Sequence, residues 1–169
     1  FESELDHLRT ALMWEPRGHA DMYGAVSTEP VTETADMGVL FLHNEGYSTM
    51  CGHGIVALVT VALETGALSP ADSTVRIDTP AGLVTARAAV EGDRVTSVSF
   101  ENVPSFVYAT DRRVTVPGYG EVPYDVAYGG AFYAYVDAET LGVGLGPEDV
   151  RELVDAGRAV KEAVSDDLA

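Results

Sequence analysis

Residues 43–66 read HNEGYSTMCGHGIVALVTVALETG. The second part of this stretch places Ile55, Leu58, Val59, Ala62 and Leu63 three and four residues apart, the spacing of one helix face. Gly66 then stands where a left-handed C-terminal cap belongs. The first part is polar and turn-prone, and the β-prone run Gly38–His43 leads straight into it. The local order is therefore strand, turn, helix, with Cys51 at the helix N-terminus.

Upstream, Ser3-Glu4-Leu5-Asp6 has the form of a capping box, and Leu5, Leu8 and Leu12 continue at helical spacing until Pro16 stops the pattern. A loop over Glu15–Gly24 is expected to follow. Downstream, Val75–Asp78, Gly82–Val90 and Arg94–Phe100 are β-prone, and Glu91-Gly92-Asp93 is a suitable hairpin turn, so these strands are expected to be antiparallel. Proline and glycine punctuate residues 104–123, which places a lobe boundary near Ser105 and divides the chain into residues 1–105 and 106–169. One aromatic strand, Val126–Val136, is expected next. A final amphipathic helix follows, opened by Pro147-Glu148-Asp149 and carrying Val150, Leu153, Val154, Gly157 and Val160. This mixture of strands and helices predicts an α+β chain.

At 169 residues and 46% apolar content, the chain is long enough and apolar enough to bury a sizeable core. A formal charge of −17 repels phosphate backbones and anionic lipid, which argues against nucleic acid and membrane partners. The lone cysteine cannot form an internal disulfide, and neither a membrane-length apolar run nor a signal segment is visible, so a cytoplasmic setting is expected.

A lone cysteine is ordinarily a small buried hydrophobe. Around Cys51, however, Gly52 and Gly54 allow close backbone approach, and the unpaired N–H groups of a helix start favour a thiolate or a bound carboxylate. A thiolate there could bind metal, attack a carbonyl or abstract a proton. Metal binding would have to assemble Cys51, His53, His43 and Glu45 without any paired zinc-type spacing. A Cys51–His53 nucleophilic pair is hampered by a separation of two residues on a helix start. Proton transfer at the α-carbon of an amino acid needs a base beside donors for the carboxylate, and Cys51-Gly52-His53-Gly54 supplies both. His53 by itself is equally readable as a capping or solvated residue. His19, His43 and Glu45 are read as solvated or as bonding within their turns. Gly142-Val143-Gly144-Leu145-Gly146 lacks dinucleotide-fingerprint spacing, and Glu148 and Asp149 would repel phosphate, so it is read as a turn.

Met50-Cys51-Gly52-His53-Gly54 resembles the first cysteine motif of the proline racemase family, which includes hydroxyproline epimerases and trans-3-hydroxy-L-proline dehydratases. Glu15-Pro16-Arg17-Gly18-His19, Asp21-Met22-Tyr23-Gly24 and Tyr128-Gly129-Gly130-Ala131-Phe132-Tyr133 also look like that family, so the resemblance covers most of the chain. The wording His43–Thr49 ahead of Met50, and Ala131 where racemases and epimerases usually carry Asn, are more similar to the dehydratases.

The resemblance implies a diaminopimelate epimerase-like fold of two pseudo-symmetric lobes, each wrapping strands around a central helix, with the second lobe incomplete here. It implies a longer parent protein whose second half carries an Asp and a second catalytic position, Cys in racemases and epimerases and Thr in dehydratases. It also implies Cys51 as catalytic base, backbone donors at Gly52 and His53 for the substrate carboxylate, an imino-acid substrate such as hydroxyproline or proline, a homodimer, and no metal, pyridoxal phosphate or nicotinamide. The expected chemistry is dehydration of trans-3-hydroxy-L-proline, with epimerisation or racemisation as the alternative and a non-catalytic amino-acid-binding lobe as the reading from another class.

Overall fold

The computed structural model describes residues 2–168. Phe1 and Ala169, the outer ends of the two expected lobes, lie outside that range. The chain divides into two compact units, Phe1–Pro104 and Ser105–Ala169.

The first unit runs α1 (Glu2–Met13), β1 (Tyr23–Thr28), β2 (Met37–His43), β3 (Gly46–Ser48), α2 (Gly52–Glu64), β4 (Thr74–Thr79), β5 (Gly82–Glu91) and β6 (Arg94–Glu101). Its sheet has the order β1-β2-β4-β5-β6, and β3 pairs with β2 as a short extra strand. β2 and β4 are parallel, with Met37 opposite Ile77, because α2 carries the chain between them. β4, β5 and β6 are antiparallel neighbours, as the sequence predicts. Met37, Val39 and Phe41 of β2, Val75 and Ile77 of β4, Val84 and Ala86 of β5, and Ile55 and Val59 of α2 form one buried core. The predicted C-terminal cap of α2 is present, with Gly66 at φ 72° just after Thr65.

The expected start of α1 needs correcting. The helix already contains Glu2, so Ser3 is internal and not its N-cap. Leu5, Leu8 and Leu12 are exposed, while Arg9 and Met13 are buried. Met13 is drawn inward by the sheet: a Cβ on Gly24 would lie 2.7 Å from the Met13 Cε, so the absence of a side chain at Gly24 makes its seat. The loop expected to extend through Gly24 is cut short by β1, which pairs with β2 from Tyr23 onward.

The second unit runs β7 (Phe106–Val116), β8 (Gly120–Tyr128), β9 (Phe132–Tyr135), α3 (Ala138–Leu141) and, after a single 3₁₀ turn at Pro147–Asp149, α4 (Val150–Leu168). Its sheet has the order β7-β8-β9, all antiparallel. The punctuated stretch 104–123 is therefore largely a long hairpin. Pro123 is tolerated inside β8 because β9 begins to pair only at Asp125, leaving no second neighbour to require its missing N–H. The single aromatic strand expected over 126–136 is instead the end of β8 and all of β9, folded back at Gly130, whose φ of 101° suits glycine. Valines 116, 122 and 126 and Tyr124 pack with Val160 and Val164. The buried face of α4 is Ala156, Val160 and Val164, so Val150 and Val154 of the expected stripe are exposed. Asp149, in the 3₁₀ turn that follows, accepts the Gly146 N–H at 2.9 Å and so ties down the end of the Gly142–Gly146 segment.

Candidate functional site

Cys51 is the N-cap of α2. It has extended backbone, φ −145° and ψ 112°, and its carbonyl accepts the first helical bond, from Ile55 N–H at 3.0 Å. The Gly54 N–H donates to Sγ at 3.3 Å, in the place where a serine or aspartate cap would normally accept. The thiol is free and half-buried. The amides of Gly52 and His53 precede the first intrahelical donor, and among the described residues neither makes a hydrogen bond. The helix start thus presents two N–H groups beside a sulfur, with the positive end of the helix dipole behind them. The imidazole of His53 is exposed, so its backbone is the part of this residue built into the helix start.

Both glycines have packing reasons. A Cβ on Gly52 would lie 3.1 Å from the Phe100 Cζ, and one on Gly54 would lie 2.6 Å from the Cε1 of Phe41, which is fully buried. Gly52, His53, Val56, Ala57 and Phe100 line a shallow apolar hollow at the first turn of α2, and Cys51 is not among them. For Gly54→Ala the collision with Phe41, worth about 1–3 kcal/mol of overpacking, is expected to outweigh the roughly 1 kcal/mol gained from the better helix former. Thermal unfolding should show a fall of several degrees, and a rise would contradict this packing.

The approach to Cys51 is tied to α1. Arg9 is 8% exposed and is the buried charged side chain among the described residues. Its Nε and Nη2 donate to the two oxygens of Asp6 at 2.7 and 3.1 Å, and its Nη1 donates to the carbonyls of His43 and Asn44 at 2.9 and 2.5 Å. The Tyr47 hydroxyl donates to Asp6 at 2.7 Å, and the guanidinium lies 5.6 Å from the centre of the Tyr47 ring. From the other side, Trp14 Nε1 donates to the Asn44 carbonyl at 3.2 Å, and Asn44 Nδ2 donates to the carbonyls of Met13 and His19 at 2.8 and 3.0 Å. His43 accepts the Glu45 N–H at 3.2 Å and stacks on Tyr23 at 6.0 Å, and His19 bonds to the adjacent Ala20 carbonyl. The imidazoles thus bond within their own turns, and that of His43 also packs on its cross-strand neighbour. Sequence reading missed Arg9 and Asp6: their mutual pair is local, but the His43, Asn44 and Tyr47 groups that give it a role lie more than thirty residues away.

Asp6 is lowered from 3.8 to about 2, chiefly by its bond to the Arg9 guanidinium and next by the Tyr47 hydroxyl. Since the folded value is the lower one, the tie contributes fully above the ordinary value, and its contribution is lost as pH falls from 3.8 towards 2. An acid titration of the Asp6 carboxyl carbon by NMR is expected to show a midpoint near 2. A midpoint near 4 would mean that the contact is not made.

Residues 1–169 match the family described as proline racemase. The chain belongs to the proline racemase family. Among its relatives, a Homo sapiens protein named trans-3-hydroxy-L-proline dehydratase is 54% identical over 167 residues, covering 95% of this chain and 47% of the human protein. A Streptosporangium roseum 4-hydroxyproline 2-epimerase is 46% identical over 168 residues, 98% of this chain and 50% of its own. A crystal structure of a hydroxyproline epimerase from Agrobacterium vitis, with bound trans-4-OH-L-proline, superposes with a TM-score of 0.88 at 33% identity, over 93% of this chain and 46% of that one. The α+β fold expected from the resemblance is therefore that of the proline racemases, and the chain spans about half the length of the curated relatives it matches. Among the described residues no helix is long and apolar enough to cross a membrane.

Proposed function

We propose that the parent protein of this chain dehydrates trans-3-hydroxy-L-proline to Δ1-pyrroline-2-carboxylate, with Cys51 as the base and the backbone N–H groups of Gly52 and His53 holding the substrate carboxylate. The observation that carries this reading is the helix start itself, where a thiol caps α2 next to two amides that make no hydrogen bond among the described residues. The thiolate takes the α-proton, and the electrons of that C–H bond form the Cα–Cβ double bond as the 3-hydroxyl departs. With a proton from an acid elsewhere in the parent protein, the hydroxyl leaves as water, and the resulting enamine tautomerises to the pyrroline. Charge builds on the carboxylate as the α-proton leaves. Donors already aimed at it stabilise that transition state more than the ground state. The base must be within reach of one proton and the donors within reach of one carboxylate, which a single helix turn can arrange. A cytoplasmic setting, which keeps a lone thiol reduced, and a homodimer belong to the same proposal.

The epimerase relatives favour a second reading, in which the α-carbon is inverted without loss of water. A proton NMR time course in D₂O, using the parent protein and trans-3-hydroxy-L-proline, separates the two. Pyrroline signals are expected. Exchange of the α-proton of a hydroxyproline without elimination would replace dehydration by epimerisation. Binding with neither change would leave this chain as an amino-acid-binding lobe.

A further inference from the structure

We propose that Arg9, held by Asp6 and Tyr47, is a positioning residue for Cys51, acting through the β2–β3 turn; this rests on the role proposed for Cys51 above. A buried guanidinium is a poor choice for stability alone, since an apolar side chain of similar volume removes the desolvation cost. What Arg9 supplies that Met cannot is a planar fork with several donors, and here these bind two consecutive carbonyls and one carboxylate. The two carbonyls belong to His43 and Asn44, the turn between β2 and β3. β3 ends three residues before Cys51.

β3 passes the constraint on because its neighbouring residues serve opposite faces. Tyr47, paired with Leu42, reaches Asp6 on α1. Ser48 is paired with Phe41, the residue against which Gly54 of α2 is packed, and its hydroxyl donates to the Met50 carbonyl at 3.0 Å. Thr49 is tied to the β4–β5 turn through the Ala81 N–H, which donates to its carbonyl at 3.2 Å. From the turn to the N-cap the chain is thus held at nearly every residue, with Arg9 at the start of the series. A base displaced by an ångström from its proton loses about two orders of magnitude in rate, so this constraint acts on turnover more than on binding.

The test uses the full-length parent protein with Arg9→Met, Arg9→Lys and Tyr47→Phe, and Ile77→Val as a core truncation away from the turn. Two readouts are taken: kcat and KM for trans-3-hydroxy-L-proline, and the iodoacetamide alkylation rate of the Cys51 peptide by mass spectrometry. For Arg9→Met, kcat is expected to fall at least about tenfold with KM within about twofold, and Cys51 alkylation to change severalfold. Arg9→Lys should not rescue it, because an ammonium cannot span the same acceptors. Tyr47→Phe should give a smaller change of the same sign, and it decides the matter if Arg9→Met does not fold. Wild-type kcat and alkylation in a folded Arg9 variant overturn the proposal, as do losses matched by Ile77→Val. If the unmodified protein turns over neither trans-3-hydroxy-L-proline nor a 4-hydroxyproline, the functional reading fails, and alkylation still decides the positioning role.

Discussion

Replacing Cys51 by serine is expected to leave the parent protein folded and to lower its turnover about 10²–10⁴-fold, the range that loss of a positioned proton-transfer group ordinarily costs. The two halves of this expectation have separate causes. Serine is among the preferred N-caps, and its hydroxyl can take the Gly54 N–H that Sγ now accepts at 3.3 Å, so α2 should start as well or better than before. A serine hydroxyl is a far weaker acid than a thiol and supplies almost no anionic base near neutral pH. Having cysteine where serine would cap better is itself consistent with a chemical use of the sulfur. Circular dichroism and thermal unfolding check the first half, and steady-state rates with trans-3-hydroxy-L-proline check the second. Retained turnover would remove Cys51 from the mechanism, and loss of folding would make it a structural residue.

The largest expected effect on stability is that of Phe41→Ala, about 3–5 kcal/mol. Phe41 is fully buried in β2 and pairs with Ala25 of β1 on one side and Ser48 of β3 on the other. Its ring fills the space that the missing side chain of Gly54 leaves open, and it lies 6.5 Å from the ring of Tyr23. Truncation opens a cavity directly beneath the first turn of α2, and neither the β-sheet nor the helix can collapse into it without breaking its own hydrogen bonds. Against a total of about 5–15 kcal/mol for a typical domain, this is a large fraction. Urea unfolding should show a lower midpoint with an unchanged slope. A loss below about 1 kcal/mol would mean that the Phe41–Gly54 contact is not a close one.

Together these expectations separate the two things the residues 41–54 segment does. Phe41 and Gly54 set how α2 seats on the sheet, and Cys51 occupies the cap of the helix so seated. Arg9 and Asp6 add the constraint that reaches this segment from α1.

Features written in short-range periodicity and turn chemistry can be read from the residues alone. α2 is legible from Ile55, Val59 and Ala62 with Gly66 behind them, the antiparallel β4–β6 from β-prone runs and the hairpin turn at Gly92, and the place of Cys51 from the polar turn ahead of an apolar helix. The family was legible because its motifs are contiguous. Tertiary structure alone decided which helix faces are buried. Three leucines at helical spacing mark α1 as a helix, yet the sheet presents Gly24 and the His43–Asn44 carbonyls to it, which select Met13 and Arg9 instead. On α4, Val160 and Val164 are chosen by their fit to Val116, Val122 and Tyr124, and the punctuated stretch 104–123 becomes a hairpin because β7 and β8 satisfy each other's backbone. A buried face or a strand pairing depends on which distant surface is available to receive it, and that information is not local to any window of the chain.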